Sequence, residues 1–229
     1  MRRQQINPGV QTLVGRYKIQ GSVRFLSHQE GFRTVQRALV RSEINLIYSQ
    51  GYNSRPKLSL PLPKSVGLAS DDELFYAQIQ AAGSGTAEQN KELYKRISAQ
   101  LPEGFSLAEL IICDGRIAYK PLEAEYLIRI EDEKELEEVW AQADKLNSLV
   151  RAGEKITIER RLDEKGSVKT ADVGGFIKSV ERIGEGIKIV CKITDKGTIR
   201  PDEIARLLGL KPENVGISMV RKKVNWQTN

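Results

Sequence analysis

The feature that most constrains the fold is an order of periodicities that runs through the chain twice. Residues 16–25, RYKIQGSVRF, place Tyr17, Ile19, Val23 and Phe25 on one side and Arg16, Lys18, Gln20, Ser22 and Arg24 on the other. A period of two predicts a strand buried on one face, here with three cations on the other. SHQE follows, and Ser27 with Glu30 has the spacing of a capping box. A helix over 28–43 is predicted, with an inner stripe of Phe32, Val35, Gln36, Leu39 and Val40. Arg33, Arg37 and Arg41 recur every four residues and line a neighbouring stripe. Like charges at that spacing weaken a helix, so acidic compensation is expected, in part from Glu30 and Glu43.

INLIYS and KLSLPL predict two further strands, the latter an edge because Pro61 and Pro63 cannot donate to a ladder. DELFYAQIQA is another strand, ending in the turn GSG; a helix over 86–101 and a strand over 105–112 complete the half. After YKPLEA the order restarts. EYLIRIE is a strand, and DEKELEEVWAQADKL a helix with Leu136, Val139, Trp140, Ala143 and Leu146 at helical spacing. KITIERRLD and GIKIVCKIT are strands flanking an unassigned stretch at 166–185; RPDEIARLLGL is a helix and NVGISMVRKKVNW a last strand. Each half reads β-α-β-β-α-β, with no repetition of sequence. That is the ferredoxin-like order, two helices on one face of an antiparallel sheet. The prediction is an α+β chain of two ferredoxin-like domains in tandem, 1–120 and 121–229. The polar face of strand 16–25 would be the open face of the first.

Charge separates the halves. The chain of 229 residues carries +6, but residues 1–68 alone carry +9 and the remainder −3. A concentrated basic region is an electrostatic footprint for a polyanion; the plain alternative is a solvated face. Cys113 and Cys191 stand far apart and read as buried free thiols. With His28 the single histidine, a zinc site of the Cys/His type is not expected, and two cysteines cannot hold an iron–sulfur cluster. No apolar run reaches membrane length and the basic N-terminus lacks a secretory h-region, so a cytoplasmic protein away from membranes is expected. Phosphate-loop, nucleophile-elbow and paired-carboxylate motifs do not occur.

One segment combines cations with aromatics. YSQGYNSRPKLSLPLPKSVGL, residues 48–68, holds Tyr48 and Tyr52 beside Arg55, Lys57 and Lys64. Gly51 and Asn53 most simply serve backbone conformations with positive φ, and the tyrosines core or turn packing. Pro56 would hold the chain extended and project Arg55 and Lys57 outward. Aromatic stacking with cationic contacts is also how single-stranded RNA is gripped. The pairing of Arg24, Phe25, Leu26, Ser27 and His28 with Tyr48, Ser49, Gln50, Gly51, Tyr52, Asn53, Pro56, Lys57, Leu58 and Ser59 resembles the signature of the radical-SAM-linked protein family, an uncharacterised bacterial family (domain of unknown function 2344). Tyr52 stands where that pattern has phenylalanine and Ser54 where it has its first proline, which implies a less rigid turn. TIRPDEIARLLGL resembles a weaker C-terminal signature.

The resemblance implies a radical SAM protein as partner, with the iron–sulfur cluster and S-adenosylmethionine residing there and no cofactor in this chain. The expected RNA- or anion-binding set is Arg24, Arg33, Arg37, Arg41, Tyr48, Tyr52, Asn53, Arg55, Lys57 and Lys64. The expected function is a non-catalytic accessory that binds RNA, or an RNA–protein assembly, and presents it to that partner. Two alternatives stand beside it. One is a metal-independent endoribonuclease with His28 as acid/base; the other is a protein-only adaptor docking on an acidic surface.

Overall fold

The structure is a computed structural model and describes residues 9–81, 87–161, 168–211 and 218–228. It is α+β, with ten strands and four α-helices among the described residues. Two units separate, one up to Pro121 together with the residues from Trp226, the other from Leu122 to Asn225.

In the first unit β1 (Val10–Ile19) lies between β3 (Ala69–Gln80) and β4 (Phe105–Asp114), antiparallel to both. The two-residue β2 (Leu58–Ser59) pairs antiparallel with the far side of β3, since Ala77 matches Leu58 on one side and Leu13 on the other. The order is therefore β4-β1-β3-β2. Helices α1 (His28–Arg41) and α2 (Ala87–Gln100) supply Val35, Leu39, Leu93 and Ile97 to a core with Leu13, Tyr17, Phe75, Ala77, Phe105 and Leu107. The Tyr17 ring stacks on Phe105 at 5.8 Å. Gly15 makes room for Phe75, whose ring would stand 2.3 Å from a Cβ there.

The strand expected over 16–25 stops at Ile19. Gly21, at φ +62°, turns the chain into a 3₁₀ turn over Gly21–Phe25, and the Gln20 amide donates to the Gly104 carbonyl at 2.9 Å. The alternation continues past the turn by coincidence, so Phe25 is exposed rather than buried. The capping box is present: the Glu30 amide donates to Ser27 Oγ and the Ser27 amide to Glu30 Oε2. Along α1 the buried residues are Gly31, Val35, Ala38 and Leu39, whereas Val40 faces solvent.

INLIYS and KLSLPL are not two strands but two pieces of one edge. Gln80 donates to the Asn45 carbonyl and Ile47 to that of Gln78; Gln78 then donates to the Lys57 carbonyl before β2 begins. Pro61 and Pro63 fall beyond the ladder. The expected GSG turn lies outside the described residues.

In the second unit the order is β10-β5-β9-β8, from β5 (Tyr119–Arg129), β8 (Ile177–Ile183), β9 (Gly186–Lys192) and β10 (Met219–Thr228). Helix α3 (Glu133–Ala152) buries Val139, Ala143 and Leu146 and is capped by Asp132, whose side chain accepts from the Glu135 amide. Trp140 donates to the Gly186 carbonyl at 3.1 Å. KITIERRLD does not join this sheet. Its strand β6 (Thr157–Arg161) pairs with β7 (Val168–Asp172) in a separate two-stranded ribbon, and the place beside β9 is taken by β8, within the unassigned stretch. The short α4 (Pro201–Leu207) buries Glu203 and Ile204.

Candidate nucleic-acid interface

Between Ile47 and Lys57 the chain leaves the edge beside β3 and returns, forming a finger. The Lys57 amide donates to the Ile47 carbonyl and the Ser49 amide to the Arg55 carbonyl, both at 2.8 Å, with Tyr48 opposite Pro56 between them. Pro56 thus occupies a non-hydrogen-bonded position, where its missing N–H costs nothing. Two side-chain bonds fix the tip: the Arg55 amide donates to Ser49 Oγ at 3.0 Å and Ser54 Oγ to the Ser49 carbonyl at 2.8 Å. Ser54 therefore braces the turn by a hydrogen bond. Gly51 has φ +124°, whereas Asn53 does not share the positive φ expected of it.

Exposure on the finger reverses the packing role expected for the tyrosines. Tyr52 at the tip is fully exposed and Tyr48 is 41 % exposed; Asn53, Arg55 and Lys57 are exposed as well. Antiparallel pairing alternates sides. Arg55 and Lys57 therefore share one side of the finger, about 7 Å apart along the strand, and Tyr48 with Pro56 takes the other.

On α1, Arg33, Arg37 and Arg41 are exposed. Like Arg55 and Lys57, they form no ion pair with a described residue. The expected acidic compensation is slight. The Ser27 hydroxyl and then its amide hold the Glu30 carboxyl below the usual range, with a smaller contribution from the charge of Arg33. Glu43 makes no ion pair among the described residues, and its φ of +54° marks it as the turn residue after the helix.

Lys64 leaves the expected set. Its side chain is buried and Nζ donates to the carbonyls of Arg24 and Ser65 at 2.6 and 2.9 Å, so its ammonium is spent inside the protein. What it holds in place is informative. The Gly67 amide also donates to the Arg24 carbonyl; Val66 and Phe25 are 60 % and 56 % exposed, and the Arg24 guanidinium lies 4.9 Å from the Phe25 ring centre. Sequence periodicity missed the exposure of Phe25; the glycine at 21 was the available signal. His28, the first residue of α1, is half-buried.

Several other basic groups are engaged. Arg16 forms a bidentate bond to Asp72, at 2.8 Å to each oxygen from one nitrogen. In the second unit Arg160 grips the buried Glu203 through two nitrogens at 2.7 and 2.9 Å. Arg221 is buried beside the Tyr126 ring, leaving Lys222 and Lys223 exposed. Cys113 and Cys191 are free thiols, one half-buried and one buried, and burial raises the pKa of both. Among the described residues no group of three or more His, Cys, Asp or Glu is arranged to hold a metal ion, and no helix is long and apolar enough to cross a membrane.

A family model for an uncharacterized protein conserved in bacteria (DUF2344) matches residues 13–201. The chain belongs to that family. In this DUF2344 chain the match runs from Leu13 in β1 to Pro201 at the start of α4, so it includes α1 and the whole finger, while TIRPDEIARLLGL only begins within it. No curated protein matches the chain.

Proposed function

We propose that this protein is a non-catalytic accessory that binds RNA, or an RNA–protein assembly, and presents it to a radical SAM partner. The carrying observation is the segment 33–57, where Arg33, Arg37, Arg41, Arg55 and Lys57 stand exposed without acidic partners and two tyrosines are exposed on a braced finger. Unpaired surface cations attract phosphate, and bound phosphates release counterions. Their position on a loop carried by a sheet edge favours recognition over packing. The radical SAM partner follows from the family signature in residues 24–59; the iron–sulfur cluster and S-adenosylmethionine belong to that partner. We read each unit as ferredoxin-like, supported by the matching strand orders β4-β1-β3-β2 and β10-β5-β9-β8. We place the work in the cytoplasm, where free thiols such as Cys113 and Cys191 persist.

Binding to mixed-sequence RNA should fall steeply with salt. Replacing Arg55 and Lys57 by alanine should weaken it for every sequence and flatten the slope of log K against log salt by up to about two units. A wild-type protein that ignores RNA at low salt overturns this reading in favour of an adaptor for an acidic protein surface.

A further inference from the structure

We infer that the finger selects unpaired RNA, with a base stacked on Tyr52 while Arg55 and Lys57 hold the adjoining phosphates. This rests on the RNA reading above and specifies which form of RNA the site takes.

Tyr52 places an aromatic side chain in water. Its ring is fully exposed at the end of the finger and gains nothing from the fold, yet the turn that carries it is fixed by the bonds of Ser49 with Arg55 and Ser54. A ring held out by a braced turn has already lost much of the freedom that binding would otherwise remove. It is thus prepared for an intermolecular contact.

The surroundings define the ligand. Arg55 and Lys57 share one side of the finger, about two residues apart on an extended chain, or roughly 7 Å. That separation suits successive phosphates of one strand. No described acid pairs with either cation. Tyr48 and Pro56 give the other side an apolar surface. A ligand that offers flat aromatic faces and a regularly charged backbone matches all three features. In a duplex the bases are stacked on one another and the A-form major groove excludes side chains, so Tyr52 would find nothing to cover. An unpaired strand presents the faces of its bases, and stacking on an aromatic is tolerant of base identity.

The test compares one oligoribonucleotide carrying 2-aminopurine, single-stranded or annealed to its complement, by anisotropy and by 2-aminopurine emission. The single strand should bind more tightly, with its emission quenched by stacking. Tyr52→Ala should lose about tenfold in affinity for the single strand, abolish the quenching and leave duplex affinity and thermal stability unchanged; Tyr52→Phe should retain all four. Arg55→Ala/Lys57→Ala should weaken both forms. Equal binding of the two forms with no effect of Tyr52→Ala overturns the inference and leaves the RNA reading standing. Absence of binding to either form at low salt overturns both.

Discussion

The finger at 48–56 and the β6–β7 ribbon are both two-stranded excursions from a sheet, one in each unit, and both carry arginine. Their chemistry is opposite. On the ribbon Arg160 closes a bidentate pair with Glu203, whose side chain is 1 % exposed, and Ile156, Ile158 and Val173 anchor the excursion by burial. On the finger backbone bonds and the Ser49 and Ser54 hydroxyls close the excursion, and Arg55 and Lys57 are left in solvent. A cation that completes a buried pair is part of the fold. A cation that the fold never uses is available to a ligand.

Arg160→Ala therefore gives the largest expected loss of stability. It leaves the buried Glu203 carboxylate with the Arg200 amide but without its cation, a loss that costs about 3–5 kcal/mol in comparable buried pairs. Urea unfolding should show that loss, with RNA affinity of the folded fraction unchanged. By contrast Arg55→Ala/Lys57→Ala should stay within about 0.5 kcal/mol of wild type while losing RNA. A stability loss of similar size from both would erase the distinction.

Lys64 sharpens the comparison inside the first unit. Lys64→Ala removes two charged hydrogen bonds to the Arg24 and Ser65 carbonyls and should cost about 1.5–3 kcal/mol. Gly15→Ala sets a Cβ against the Phe75 ring and should cost about 1–3 kcal/mol through overpacking, again without touching RNA affinity. Either variant binding RNA as weakly as Arg55→Ala/Lys57→Ala would show that the shape of the unit, and not free charge, governs binding.

The smallest effect concerns Glu30. Its carboxyl is held below its ordinary range by Ser27, so its contribution to α1 is present above the ordinary carboxylate pKa and disappears as pH falls through the lowered value. The difference in thermal midpoint between wild type and Glu30→Gln should be measurable at neutral pH and vanish in strong acid. A difference that persists there would remove the capping box as its cause.

These contrasts follow how far each feature depends on distant residues. The capping box at Ser27 and Glu30 is local, so four letters suffice to find it. Tyr17 and Ile19 are buried as the alternation predicts, although the pairings of β1 with β3 and β4 shift register beside Tyr17. Phe25 was misplaced because the alternation outlasts the strand by one turn, and only the left-handed Gly21 ends it. Lys64 and Arg160 look like any surface cation until the carbonyl of Arg24, forty residues earlier, and the carboxylate of Glu203, forty-three later, are brought to them. β8 escaped notice because KSVERI is half exposed and lacks a clean alternation, whereas KITIERRLD has one and spends it on β7. The basic segment itself was legible from charge alone, but which of its cations are free was not.

The most direct test sets the two units' exposed cation pairs against each other. RNA affinity should be measured across a salt series for wild type, Arg55→Ala/Lys57→Ala and Lys222→Ala/Lys223→Ala. The finger pair should lower affinity and flatten the salt slope by up to about two units, while the second-unit pair leaves the slope near that of wild type. Equal losses from the two pairs, or a larger loss from Lys222 and Lys223, would contradict the assignment of RNA binding to the finger.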